Sequence, residues 1–130
     1  MPEWQKILWI AGAGAAGAIA RWQTGELVKS FVGESEAFPW GILLINLLSC
    51  FLFGLVLKLA EKSVIHTEAR LVILTGFLGT YSTFSTFAAD TALLLEKSSY
   101  LTAALNVIAQ IALGVAAIFA GLAVGGWWKA

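Results

Sequence analysis

The chain has 130 residues, 59% of them hydrophobic and 12% charged, with eight Lys and Arg balancing eight Asp and Glu. A water-soluble domain carries about a quarter charged residues, so this composition excludes a molecule whose whole surface faces water. Zero net charge excludes an extended basic face for nucleic acid, and the single cysteine, Cys50, excludes an internal disulfide.

Taken in chain order, MPEWQK sets Glu3 and Lys6 ahead of a glycine-rich segment without a clear cleavage site, and reads as a retained N-terminus. Four apolar stretches follow, at about 7–28, 40–59, 71–95 and 101–128. Each is long enough to cross a bilayer as a helix, which takes about 20 residues. The expected fold is all-α, with four transmembrane helices in a single integral membrane domain over 1–130. Trp4, Trp9, Trp22, Trp40, Tyr100, Trp127 and Trp128 cluster at the ends of these stretches, where amphipathic rings sit at headgroup level. His66, in the middle loop EKSVIHTEAR, reads as solvent-exposed, and Cys50 as a small buried hydrophobe.

An even number of crossings puts both termini and the middle loop on one side of the bilayer. That side holds Lys6, Lys58, Lys62, Arg70 and Lys129, against Arg21, Lys29 and Lys97 on the other. Five cations against three is a small asymmetry for the positive-inside rule, compatible with insertion in both orientations. Small residues in AGAGAAGAIA and at Gly121 and Gly125 let backbones approach closely. A bundle of four short helices has little interior of its own, so these faces are expected to pack against a second copy.

Polar groups inside the stretches are costly unless they face protein or water. They are Arg21, Asn46, Ser49, the segment GTYSTFSTF at 79–87, Asp90, Asn106 and Gln110. No metal-ligand cluster, nucleophile beside a base or phosphate-cradling loop stands among them, which leaves enzyme chemistry without a site. Gly76, Gly79 and the hydroxyl run predict a break in the third helix around residues 78–83. Such a break is tolerated at membrane depth only in a protein interior or along a cavity, and its freed carbonyls suit a sodium ion. Phe84 and Phe87 lie three apart on one helix face. The electropositive edges of such rings, beside neutral donors, suit a small anion that must bind and leave.

The segment GFLGTYSTFSTF at 76–87 resembles the GFxGxxTTFSTF signature of the fluoride channel family, Fluc/CrcB, with Ser82 at the first Thr. GAIAR at 17–21, PWG at 39–41, INLLS around Asn46, and Arg70 extend the resemblance over nearly the whole chain. It implies an antiparallel, dual-topology dimer, a homodimer in its simplest form, with fluoride-selective pores and a structural sodium ion at the dimer centre. On this chain it gives that ion the backbone carbonyls of Gly79 and Ser82. It sets Phe84, Phe87 and Asn46 in the pore and Arg21 in a vestibule. Ser85 and Thr86 would add hydroxyl donors, and fluoride would leave passively through the cell's inner (plasma) membrane.

Two positions depart from the family pattern. Ile42 stands where a Thr usually follows PxG, and Asn106 and Gln110 stand where the fourth helix usually offers Tyr and Ser. The two amides lie on one helix face and form an amide track in the pore. The alternatives are a small proton-coupled multidrug exporter and a scaffold subunit without transport. The exporter needs an embedded carboxylate, and here only Glu26, near the end of the first stretch, and Asp90 are available.

Overall fold

The computed structural model describes residues 1–33 and 37–128. Lys129, counted in the charge balance, and residues 34–36 of the first loop lie outside the described residues. The elements are α1 (Glu3–Val32), α2 (Trp40–Glu61), α3 (Thr67–Leu71), a π-helical segment (Val72–Leu78), α4 (Gly79–Tyr81), α5 (Phe84–Glu96) and α6 (Tyr100–Trp127). All are helical. Helix α1 and the third stretch run a few residues beyond the ends expected from hydropathy, while α2 starts as expected at Trp40 and α6 ends one residue early at Trp127.

Among the described residues, three helical stretches are long and apolar enough to cross a membrane: Trp40–Glu61, Thr67–Glu96 and Tyr100–Trp127. The chain is thus a multi-pass membrane protein. At 30 residues α1 is about 45 Å long, but it carries Glu3, Lys6, Arg21, Glu26 and Lys29 and is not among the three. Its end is set by Gly33, whose φ of 79° is a backbone that other residues seldom adopt.

Helices α2 and α6 make the largest contact in the molecule. Gly54 presses on the backbone of Ile118, Gly121 on the backbone of Phe51 and Leu55, and Gly125 on Lys58. The small residues expected to join two copies are used here within one chain, because bare backbone lets α2 and α6 approach. Cys50 is half-buried, with its Sγ against Gly114.

The third stretch departs furthest from a regular helix. Its break falls at Ser82 and Thr83, both extended, with ψ of 161° and 116°. The π-helical turns before it had no counterpart in the sequence reading. They set Gly76 against Ala13 and Ile10 of α1, and Gly17 of α1 against Phe77 and Thr80. The Thr80 hydroxyl lies 2.9–3.0 Å from the carbonyls of Gly14, Gly76 and Phe77, joining α1 to the widened turns. Thr24 gives its proton to Ala20 O at 2.8 Å, so the Tyr81 hydroxyl donates to Thr24 Oγ1 at 3.0 Å. Tyr81 is itself buried, with its ring stacked on Phe77.

One end of the bundle gathers both described chain ends and the middle loop. The Met1 amine pairs with Glu68 at 2.8 Å, and Lys62 Nζ donates to Gly126 O and Trp128 O at 2.7 and 2.6 Å. His66 is exposed there.

A side chain at Gly54 or Gly121 would meet backbone, which cannot rotate aside. Gly54→Val and Gly121→Val are each expected to destabilise the fold by about 3 kcal/mol or more. Gly12→Ala, which meets nothing within 4 Å, should behave like the parent. Thermal unfolding in detergent, followed by loss of the monodisperse peak, gives the comparison.

Candidate functional site

The helix break is held by a side chain from another helix. With Ser82 and Thr83 extended, the helical ladder stops at the bond from Ser82 N to Leu78 O, 3.1 Å. Asn46, on α2, takes up the orphaned backbone: Thr83 N donates to Asn46 Oδ1 at 2.9 Å, and Asn46 Nδ2 donates to Thr83 O at 3.2 Å. A carboxamide presents one donor and one acceptor side by side, matching a peptide group turned out of a helix. Thr83 also caps α5 with its hydroxyl, which accepts from Thr86 N at 3.2 Å.

These bonds leave two carbonyls without their helical partners. Gly79 O would accept from Thr83 N and Ser82 O from Thr86 N, but Asn46 and the Thr83 hydroxyl take those donors. Gly79 is exposed on the single chain and Ser82 half-exposed. The Ser82 hydroxyl turns back to Leu78 O at 3.0 Å.

A polar seam continues into α6. Asn46 Nδ2 donates to Gln110 Oε1 at 3.1 Å, and one turn away Asn106 Nδ2 donates to Thr91 Oγ1 at 3.0 Å. Asn106 is fully buried, and Thr91 gives its own proton to Phe87 O at 2.9 Å. Phe84 and Phe87 meet edge to face with centroids 5.6 Å apart. Phe84 is 78% exposed, so its outer surface has no cover from its own chain. Ser85 is exposed and 3.4 Å from the Thr83 hydroxyl, with Thr86 Oγ1 at 3.0 Å from it.

Of the residues singled out from sequence, Asn46, Gln110, Thr86 and Ser85 therefore meet around Thr83, and Phe84 meets Phe87. Asn106 joins through Thr91. Arg21 is half-buried on α1 and has no hydrogen bond or ion pair to this seam among the described residues. Of the two threonines that connect the set, Thr83 had not been separated from the other hydroxyls of 79–87, and Thr91 had not been singled out at all. A threonine just before a helix start, whose hydroxyl can accept from the backbone N–H three residues on, is the capping signal that marks Thr83.

A cavity of about 500 Å³ opens beside the seam, lined in part by Lys29, Phe38, Trp40, Ile42, Asp90 and Lys97. Ile42 is one turn before Asn46, and Asp90 one turn after Thr86 and Phe87, so the cavity reaches within a turn of the polar groups. The absent hydroxyl at Ile42 makes its wall apolar at that point.

The model of the CrcB-like protein, Camphor Resistance (CrcB), family matches residues 8–122. The chain belongs to the CrcB family. A CrcB-family relative from Solidesulfovibrio magneticus, named fluoride-specific ion channel FluC, is 49% identical over 122 residues, covering 93% of this chain and 96% of the relative. Proteins of the same name from Nitrosococcus oceani and Geobacter sulfurreducens are 44% and 41% identical, over 93% and 89% of this chain and 96% and 93% of theirs.

Removing the Asn46 carboxamide strands a buried N–H and a buried C=O. Asn46→Leu is expected to lower stability by about 2–5 kcal/mol, the sum of two unsatisfied groups. Ser85→Ala, at an exposed position, should leave thermal unfolding in detergent unchanged. An Asn46→Leu protein as stable as the parent would show that the break does not rely on this pairing.

Proposed function

We propose that this chain is a fluoride-selective channel, not an enzyme, through which cytoplasmic fluoride leaves the cell passively, giving fluoride resistance. The observation that carries the reading is the similarity to relatives named fluoride-specific ion channel, at 44–49% identity over 93% of the chain. The chemistry of the seam agrees. Fluoride is small and strongly hydrated, so bare burial in hydrocarbon is prohibitive. Neutral amide and hydroxyl donors, with the ring edges of Phe84 and Phe87, replace its water without holding it as a fixed cation would. A narrow lining excludes the larger chloride ion. Acid uptake as HF and ionisation in the cytoplasm trap the anion inside, and the membrane potential drives it out without ATP or proton coupling.

In this reading α1 is a fourth crossing. Its length and the gathering of both chain ends with the middle loop support that. The functional unit is an antiparallel homodimer in the cell's inner (plasma) membrane. The small cation imbalance supports insertion both ways, and Gly79, Phe84 and Ser85, open on the single chain, supply a face for the second. The cavity beside Ile42 serves as an approach to the seam, while Arg21 stands in a vestibule.

The carbonyls of Gly79 and Ser82 fit a sodium ion. Both have lost their helical N–H partners, and carbonyl oxygen is a hard donor of the kind that unwound helices offer to sodium. Two carbonyls per chain are too few for a full shell, so the second copy would complete it. The ion would supply a fixed positive charge holding the two breaks together.

Purified protein in liposomes, read with a fluoride electrode, tests the reading. Phe84→Ile and Phe87→Ile keep apolar bulk but lose the electropositive edge. Each is expected to cut fluoride efflux by about tenfold or more with the dimer intact, and chloride should pass none of these proteins. Isoleucine variants as active as the parent would reduce the rings to packing.

For sodium, Ser82→Ala should retain binding and assembly, because the side chain is not the donor. Gly79→Leu should lose both, as judged by sodium-dependent thermal stability and by size. Sodium-dependent stabilisation that persists in Gly79→Leu would remove this assignment.

A further inference from the structure

The seam contains two buried polar atoms without a hydrogen-bond partner among the described residues, Asn106 Oδ1 and Gln110 Nε2. Their orientation follows from the bonds around them. Asn46 is locked by Thr83, whose N–H demands its oxygen and whose C=O demands its nitrogen. Asn46 therefore offers N–H to Gln110, which must turn Oε1 toward it and Nε2 away. Thr91 has given its proton to Phe87 O and can only accept, so Asn106 turns Nδ2 toward it and Oδ1 away. The result is one orphan acceptor and one orphan donor, one turn apart on α6. Both are sealed inside the single chain, out of reach of a second copy.

Both hydrogens of Asn46 Nδ2 are also engaged, on Thr83 O and Gln110 Oε1. In this arrangement Asn46 has no N–H for an anion. We propose that Gln110 is a two-position residue: its carboxamide turns from Asn46 to Asn106, and fluoride takes the place of Gln110 Oε1 on the freed Asn46 N–H. The inference rests on the channel reading above. Gln and Asn at this spacing on a helix form side-chain hydrogen bonds, so the turned position pairs Gln110 Nε2 with Asn106 Oδ1 and satisfies both orphans. Without an anion it would strand the Asn46 N–H and Gln110 Oε1; with one, only Gln110 Oε1 lacks a partner, against the two orphans of the present arrangement. Anion arrival and side-chain rotation are therefore coupled, and Gln110 acts as a positioning residue for Asn46.

The test is fluoride titration calorimetry on the purified protein, with efflux from liposomes measured beside it. Gln110→Met leaves the Asn46 N–H permanently free and removes both the bond broken and the bond made on turning, so fluoride should bind no more weakly than to the parent. Asn106→Leu removes the second position and keeps Gln110 on Asn46, so binding should weaken by about fivefold. The double variant should behave as Gln110→Met, since Asn106 acts only through Gln110. Gln110→Leu carries the same expectation should the Met variant not fold. An Asn106→Leu protein that binds fluoride like the parent, a Gln110→Met protein that binds it about fivefold more weakly, or a double variant as weak as Asn106→Leu would overturn the proposal. A parent without fluoride efflux would overturn the channel reading and this proposal with it. A conducting parent whose variants fail these tests overturns the two-position residue alone.

Discussion

A helix broken in hydrocarbon leaves N–H and C=O groups with no water to receive them, and each is costly there. The pairing of Asn46 with the backbone of Thr83 meets that constraint, and the rest of the bundle is arranged to deliver it. The carboxamide must arrive from α2 at hydrogen-bond distance from the break. The position of α2 is fixed by the backbone contact with α6 through Gly54 and Gly121. On the far side α1 braces the turns before the break through Thr80, and Tyr81 reaches back to Thr24. Close packing on one side and hydrogen bonds on the other hold a non-helical dipeptide in place.

The same pairing shapes the chemistry. By using an amide to satisfy the backbone, the chain brings a neutral polar group to the seam and no formal charge. Gln110 and Asn106 continue that neutral track along α6, and Phe84 and Phe87 supply ring edges beside it. Donors of this strength hold an anion loosely enough for it to move on. The charged groups nearby, Lys29, Asp90 and Lys97, line the neighbouring cavity instead.

Much of this was legible in the sequence, where it rests on local pattern. Composition indicated a membrane protein, and glycines with hydroxyls placed a break to within a few residues of Ser82. Trp4, Trp40 and Trp127 fell at helix ends, while Trp9 and Trp22 lie inside α1. The Phe84–Phe87 contact followed from helical spacing. The Asn46–Thr83 pairing joins residues 37 positions apart, which no periodicity encodes. The π-helical turns, which bring Gly76 against Ala13 and Ile10 of α1, have no local sequence signal. The glycines of α6 were read as a close-packing face, which they are, but a GxxxG pair states that something packs closely without saying that the partner is α2. The first helix looked like a span by length, yet it is not among the three described stretches that are both long and apolar enough to cross.

The bonds of the Asn46 and Thr83 cluster all lie within one chain. A newly inserted subunit therefore enters the lipid with the interrupted backbone at Thr83 already closed, before it meets any other protein. Biogenesis need not synchronise two nascent chains, nor a chaperone mask the break while it waits. The subunit's outer face leaves Gly79, Phe84 and Ser85 uncovered.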